Sequence, residues 1–512
     1  MDFIVIMNAR KTLYTLAGLL PLVYVLGALS ACGDQRDLFP IPQARDGYSY
    51  SLSADTIQMD TLPSLHLSST YNLRIYNPSK QTIRLKRIAL RGGQERGYQM
   101  NVDGRAGTSF GNLEIAPRDS VFVFVRALLP EGSSDLPTEV KDSIMIEEQT
   151  GRERYIPIIA VRLNVERLQV LHITADTELA SPRALLIEDS IVVEPGVRLL
   201  IKPPARVLMS SDAYMRINGR LEVKASADQP VRIGSLRWDQ FLPRIPYTRV
   251  AGQWGGIILG SSATADLEGL HLTNSKWGIY MQERESANDE TVLRLDHCRL
   301  HNISGVGISA NRGLHKIHDS EISNTLASCL SLSGGRYEIE RSSIINYYPW
   351  PGIRAGAAIV YRNAVDRDRI VKGISGSALY LRHCVVDGSM RLATKADKSA
   401  TGGELDISLV APVKQEQVIL RESYLRSIDY SSREGCRVEQ IIYTDPKMQP
   451  DSLYMSLGVD AQKRRDYFFD FRPRSRAPFV HQSQDNQGYT DLDGRSRSTP
   501  MTYGAYEYQP KS

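Results

Sequence analysis

The sequence predicts an all-β protein, a right-handed parallel β-helix preceded by a small Ig-like β-sandwich. Two observations carry this. A self-similar unit recurs every twenty-two residues in the middle of the chain, and fixed-period self-similarity must be explained before any local motif. The composition favours strands with frequent corners: 25 Tyr against 10 Phe, with 38 Gly and 25 Pro. At 512 residues the chain exceeds one ordinary core. Apolar content of 42% and charged content of 23% are those of a folded chain.

The repeat aligns Asp296-His297-Cys298-Arg299-Leu300-His301-Asn302 with His318-Asp319-Ser320-Glu321-Ile322-Ser323-Asn324 and Glu340-Arg341-Ser342-Ser343-Ile344-Ile345-Asn346. Leu270-His271-Leu272-Thr273-Asn274 is a further copy, separated by an insertion around 283–290. A leucine-rich repeat would need a denser leucine frame. Each copy here is a short strand of small or aliphatic residues ended by Asn, which fits one coil of a parallel β-helix. Equivalent residues then stack at the strand spacing of about 4.8 Å, and the asparagines are expected to form an amide ladder at a corner. A coil of this length suits a right-handed β-helix. The segments 381–388 and 420–425 continue the pattern, with loops at 347–369 and 390–404 between them.

The N-terminal part reads differently. Leu73 and Ile75 alternate with Asn72 and Arg74 before the Asn77-Pro78-Ser79 break, and Val121, Val123 and Val125 alternate with Phe122 and Phe124. Period-two patterning with turns between strands predicts an antiparallel sandwich over 49–165. There is no Cys-Trp-Cys framework, so it is Ig-like in architecture only. The β-helix with its closing segment is expected over 170–512.

Arg10 and Lys11 precede an apolar run from Leu13 to Leu29, followed by Leu29-Ser30-Ala31-Cys32. Charge, a short apolar stretch and small residues make an export signal over 1–32, with Met7 as an alternative start to Met1. The four residues ending at Cys32 resemble the bacterial lipobox. That resemblance implies a lipidated Cys32, a tether over 33–48 and a membrane as partner, since two or more acyl chains hold firmly. No aspartate directly follows Cys32, which points to the outer membrane of the cell envelope. The other cysteines, Cys298, Cys329, Cys384 and Cys436, form no C-x-x-C pair and are expected to be free, buried thiols.

Three lines, Ile191 to Val197, Ile217 to Val223 and Gln253 to Ile257, carry a wider resemblance, joined by Asp491-Leu492-Asp493-Gly494-Arg495 and Tyr503 to Glu507. With them the chain resembles Gram-negative outer-membrane lipoproteins of the pectate-lyase-like β-helix type with an N-terminal Ig-like sandwich. The resemblance implies fold and location over nearly the whole mature chain. It implies no particular activity, because that family is largely uncharacterised and fold does not confer function.

Charge excludes one class. The formal net charge of +4, from 62 basic and 58 acidic residues, gives no case for nucleic acid. Nucleotide, serine-hydrolase and zincin motifs are absent from the sequence, and no cofactor or metal is expected. Asp491-x-Asp493-Gly494 is similar to a calcium loop but lacks its later ligands and reads as a closing turn. His315 and His318 are expected on the surface.

Applying the twenty-two-residue register, His297, Asp319 and Arg341 fall on one ladder, and Arg299, Glu321 and Ser343 on the next outward ladder. His297, Asp319, Glu321 and Arg341 are therefore the candidate catalytic set for a polysaccharide lyase or glycoside hydrolase, which needs a base and charge neutralisation. Mixed charges on a solvated β-helix face are the alternative explanation. Trp277, Tyr347, Tyr348, Trp350 and Tyr361 lie in or near inserted corners and are candidate stacking surfaces for sugar rings. The preferred reading is an envelope lipoprotein presenting its β-helix to glycan or to another envelope or host component. A lyase or hydrolase, and a structural spacer, stand beside it.

Overall fold

A computed structural model describes residues 42–44, 47–242, 245–284, 290–350, 354–367, 370–392, 402–411, 413, 416–460, 462, 464–485 and 487–510. Cys32 and the expected export signal over 1–32 lie outside these residues. The described chain forms two compact units. Among the described residues no helix is long and apolar enough to cross a membrane.

The first unit contains two five-stranded sheets with antiparallel pairings. Tyr71–Tyr76 lies against Ser120–Ala127 in one sheet, and Ile83–Leu90 against Thr138–Glu148 in the other. Their alternation is the one read from the sequence, with Leu73, Ile75, Val123, Val125, Ile144 and Ile146 buried. Asn77 ends its strand because its amide donates to the carbonyls of Gln81, Ile115 and Ala116 at 2.7–3.0 Å.

The second unit is a parallel β-helix of three stacked sheets. One coil contributes Ile308–Asn311 to sheet I, Leu314–His318 to sheet II and Glu321–Thr325 to sheet III. The next contributes Leu330–Ser333, Arg336–Glu340 and Ser343–Asn346, each in parallel register twenty-two residues on. Inward positions form continuous aliphatic ladders: Ile308, Leu330, Ile359 and Leu405 in sheet I, Leu295, Ile317, Ile339 and Leu381 in sheet II, Leu300, Ile322, Ile344 and Val386 in sheet III. All are buried. At ~1.5–3 kcal/mol per buried aliphatic side chain, these ladders are the main stabilising term.

The corner between sheets II and III explains the repeat. Gly269, His297, Asp319, Arg341, His383, Glu422 and Gln440 each take a left-handed backbone with φ between 45° and 69°. That turn costs a non-glycine residue roughly 1–2 kcal/mol, and it redirects the chain within two residues. In the five coils between these ends the residue after it points inward and is small: Cys298, Ser320, Ser342, Cys384 and Ser423, all buried; after Gly269 and Gln440 stand Leu270 and Ile441. The small residue also takes up backbone groups released by the turn. The Cys298 N–H donates to Ser320 Oγ at 3.0 Å, that of Ser320 to Ser342 Oγ at 3.2 Å, and that of Cys384 to Ser423 Oγ at 2.9 Å. Burial pushes the Cys298, Cys329 and Cys384 thiols up to about 12, and these cysteines and Cys436 are free.

The expected asparagine amide ladder is corrected. Asn274, Asn302 and Asn324 also adopt left-handed backbone, and their amides bond to neighbouring main chain rather than to one another. Asn274 donates to Thr248 and Val250 carbonyls, Asn302 to that of Arg249, and Asn324 Oδ1 accepts from the Tyr347 N–H. Loops crossing this corner supply those backbone partners.

Candidate functional site

The register places the candidate catalytic residues together, as the sequence predicts, and then covers them. Arg299, Glu321 and Ser343 occupy one outward ladder of sheet III, and His297, Asp319 and Arg341 occupy the corner column beside it. The expectation of an open, outward charged face is corrected here, because the chain between 469 and 507 packs across it. Ala505 N–H donates to Ser343 Oγ at 2.9 Å, Gly504 N–H to the His383 carbonyl at 2.8 Å, and the Tyr506 hydroxyl to Glu321 Oε2. Glu321 is 0% exposed, Asp319 4% and Arg341 5%.

Under this cover every candidate is matched. Asp319 receives Arg341 at 3.0 Å and Arg497 at 2.8 Å, and Arg341 lies 3.8 Å over the Tyr489 ring. Glu321 accepts from Arg299 Nε at 3.1 Å and Ser323 Oγ at 2.5 Å. Burial opposes its ionisation, but Arg299 and His301 outweigh burial and hold the carboxyl far below its usual range. His297 bonds Asp296 Oδ1 at 2.6 Å through Nδ1 and Thr490 Oγ1 at 3.0 Å through Nε2. Burial lowers its pKa, and the hydrogen bond to Asp296 with the charge of Asp319 reverses this to a net rise. None of these groups is a free base facing a substrate.

Two other constellations come together that sequence reasoning did not find. Asp296, His297 and Asp319 place ligand atoms within 4.8 Å of one another, but Asp319 is neutralised by two guanidiniums and both His297 nitrogens are engaged. The trio is a poor metal ligand set for that reason. His383 Nε2 lies 3.0 Å from Ser483 Oγ and 3.2 Å from Glu422 Oε2, while Nδ1 is buried without a partner. A nucleophile, base and orienting carboxylate need the carboxylate on the other ring nitrogen, so this is not a relay. Asp491 builds a turn, its carboxylate accepting the N–H groups of Asp493, Arg495 and Glu507 at 2.8–3.0 Å. His315, expected on the surface, is 1% exposed and stacks on Tyr337 with ring centroids 4.9 Å apart. Leu293 and Tyr337, its partners in register, make this an inward position of sheet II.

Of the candidate stacking residues, one is open. Tyr361 points into the core at 0% exposure, because it follows Leu332 on an inward ladder, which corrects its expected surface position. Tyr347 donates to the buried Asp387 at 2.9 Å, and Trp350 stacks on Tyr467 at 4.4 Å while its indole donates to the Arg249 carbonyl. Tyr348 is half-buried. The rings of Tyr347 and Trp350 brace loops.

Trp277 is 44% exposed, and beside it, at 5.9 Å between centroids, stands Tyr280 at 41%, which the sequence reading passed over. Tyr280 stands on an outward ladder of sheet I, after Ile258, that continues through Ser309, Ser331 and Val360. Asn311, Ser333 and Arg362 form the parallel ladder. Together they line an open groove of about 440 Å³. The arrangement offers aromatic faces and hydroxyls on a backbone fixed by neighbouring coils.

No family model matches the chain, and no curated protein matches it. Solved structures do. A family 28 exopolygalacturonase of Yersinia enterocolitica is similar over 77% of this chain and 97% of its own, at 9% identity and a TM-score of 0.15. The PapD-like domain 7 of human CEP192 covers 25% of this chain and 94% of its own, at 10% identity and TM-score 0.16. A family 123 glycoside hydrolase of Clostridium perfringens covers 24% of this chain, at 7% identity and TM-score 0.17, and the match spans 30% of that enzyme's length. None superimposes closely.

Proposed function

We propose that the chain is a cell-envelope protein, lipid-anchored at Cys32 in the outer membrane, whose β-helix binds a polysaccharide along the outer face of sheet I. The observation that carries the binding reading is the open pair Trp277 and Tyr280 beside the groove that Ser309, Ser331 and Ser333 line from two adjacent ladders. Flat rings take the apolar faces of sugars, and hydroxyls with Asn311 and Arg362 take their polar edges. The lipid anchor is supported by the residues from Arg10 to Cys32. Catalysis by His297, Asp319, Glu321 and Arg341 is disfavoured, since they are paired with one another and with the C-terminal chain.

The test is calorimetric titration of the purified protein with neutral and acidic polysaccharides. Saturable binding is expected, weakened about five- to tenfold in Trp277→Ala and in Tyr280→Ala, the equivalent of ~1–1.5 kcal/mol per ring. Binding untouched by both changes, or no binding to any polysaccharide, overturns the reading. The anchor is tested separately: Cys32→Ser should leave the membrane fraction.

A further inference from the structure

The outward ladder of sheet III extends beyond the covered part. In register it reads Arg206, Arg232, His271, Arg299, Glu321, with successive side chains about 4.8 Å apart. Arg299 is paired with Glu321. No carboxylate pairs with Arg206 or Arg232 among the described residues, although both stand on a surface where arginines are commonly matched, as Arg237 is by Asp239 at 2.6 Å.

The two guanidiniums rise from the floor of a cleft of about 280 Å³, lined also by Gly234, Trp238, His271 and Thr273. The cleft is built rather than incidental. A Cβ on Gly234 would come within 2.9 Å of Thr273 Oγ1, so glycine keeps the floor low. Trp238 packs on the buried cluster that contains Leu186 and Leu208 and lines one side. The following loop is pinned by Asn274, whose amide donates to the Thr248 and Val250 carbonyls. Arg232 Nη1 lies 3.2 Å from His271 Nδ1. A guanidinium can only donate, so Nδ1 accepts and the imidazole carries its proton on Nε2. Burial, with Arg232 and Arg299, pushes His271 down to about 3, so the ring is neutral at pH 7.

Two like charges one rung apart, neither of them paired with a carboxylate among the described residues, repel each other, and an anion seated between them relieves that repulsion. We propose that this cleft binds an oxyanion, the sulfate, phosphate or carboxylate group of a sugar-sized ligand, between Arg206 and Arg232. Paired guanidiniums give charge-assisted hydrogen bonds of fixed geometry to such a group, and Thr273 with neutral His271 adds polar contacts. The cleft lies on sheet III, so the proposal stands apart from the groove on sheet I.

The experiment follows tryptophan fluorescence and thermal unfolding of the purified protein during titration with sodium sulfate, sodium phosphate and glucuronate. Sodium chloride at matched ionic strength and glucose are the controls. At least one oxyanion should produce a saturable change and a higher Tm, and the one that does identifies the group. Arg206→Gln and Arg232→Gln should each weaken this at least tenfold. Without ligand both variants should melt no lower than the parent, because each removes a like charge, an outcome that a structural arginine would not give. Response to chloride equal to that of the oxyanions, unchanged affinity in Arg232→Gln, or no response to any of the three overturns the proposal.

Discussion

The outer face of sheet III has two halves that share a backbone geometry and differ in what completes them. Over Arg299, Glu321 and Ser343, the one cation is paired with the one carboxylate and the C-terminal chain closes the surface through Tyr506, Ala505 and Arg497. Over Arg206 and Arg232, the ladder carries cations alone beside an open cleft. The covered half is self-sufficient, since every charge has a partner supplied by the fold. The open half is left with charge for a partner from outside. On a solenoid, a cluster of catalytic residue types therefore says less about function than what lies over it.

The largest effect is expected in the covered half. Asp319→Ala removes the carboxylate that Arg341 and Arg497 share under the cover, leaving Arg341 with Glu340 and Arg497 with backbone carbonyls, and should cost about 3 kcal/mol, read from the urea midpoint. A loss under 1 kcal/mol would show that the cover is loose.

The next effect separates the buried histidines from the matched one. His315 sits at about 4, chiefly through burial, and so does His383. Both lie below the unfolded value of about 6.5. On acidification the unfolded chain takes up protons first, so stability falls from pH 6.5 towards pH 4, by about 2 kcal/mol per group at pH 5. His297 has the opposite sign: its raised pKa contributes stability below pH 6.5 that is lost as pH rises through its folded value. Urea unfolding at pH 7 and pH 5 should show a smaller acid loss in His315→Phe than in the parent. Equal losses would contradict the assignment. The smallest effect belongs to the open half, where Arg206→Gln should change unliganded stability by no more than about 0.5 kcal/mol.

Much of the fold was legible because the period recurs within the chain. Cys298, Ser320 and Ser342 announced the small inward position, and Leu300, Ile322 and Ile344 the core ladder; the strand register follows both. The left-handed corner at His297, Asp319 and Arg341 was not legible, because none of those residue types demands it. The cover was not legible either. Arg497 and Tyr506 meet partners 178 and 185 residues away, and no local pattern encodes such a contact. Tyr361 was misplaced because an aromatic after an insertion looks the same whether it faces inward or outward. Tyr280 could have been found by carrying the sheet I register back from Ser331 and Ser309 through the insertion around 283–290, which puts it twenty-nine residues before Ser309.

A permanent cover by the C-terminal chain is what separates a closed face from an enzymatic one, and hydrogen exchange tests it most directly. The N–H groups of Met501, Tyr503, Gly504 and Ala505 bond to Ser483, Phe479, His383 and Ser343. They should exchange as slowly as those of the strand Glu321–Thr325 beneath them. If they exchange orders of magnitude faster, the cover opens on its own, His297, Asp319, Glu321 and Arg341 become accessible, and an enzymatic site on this face returns as the better explanation.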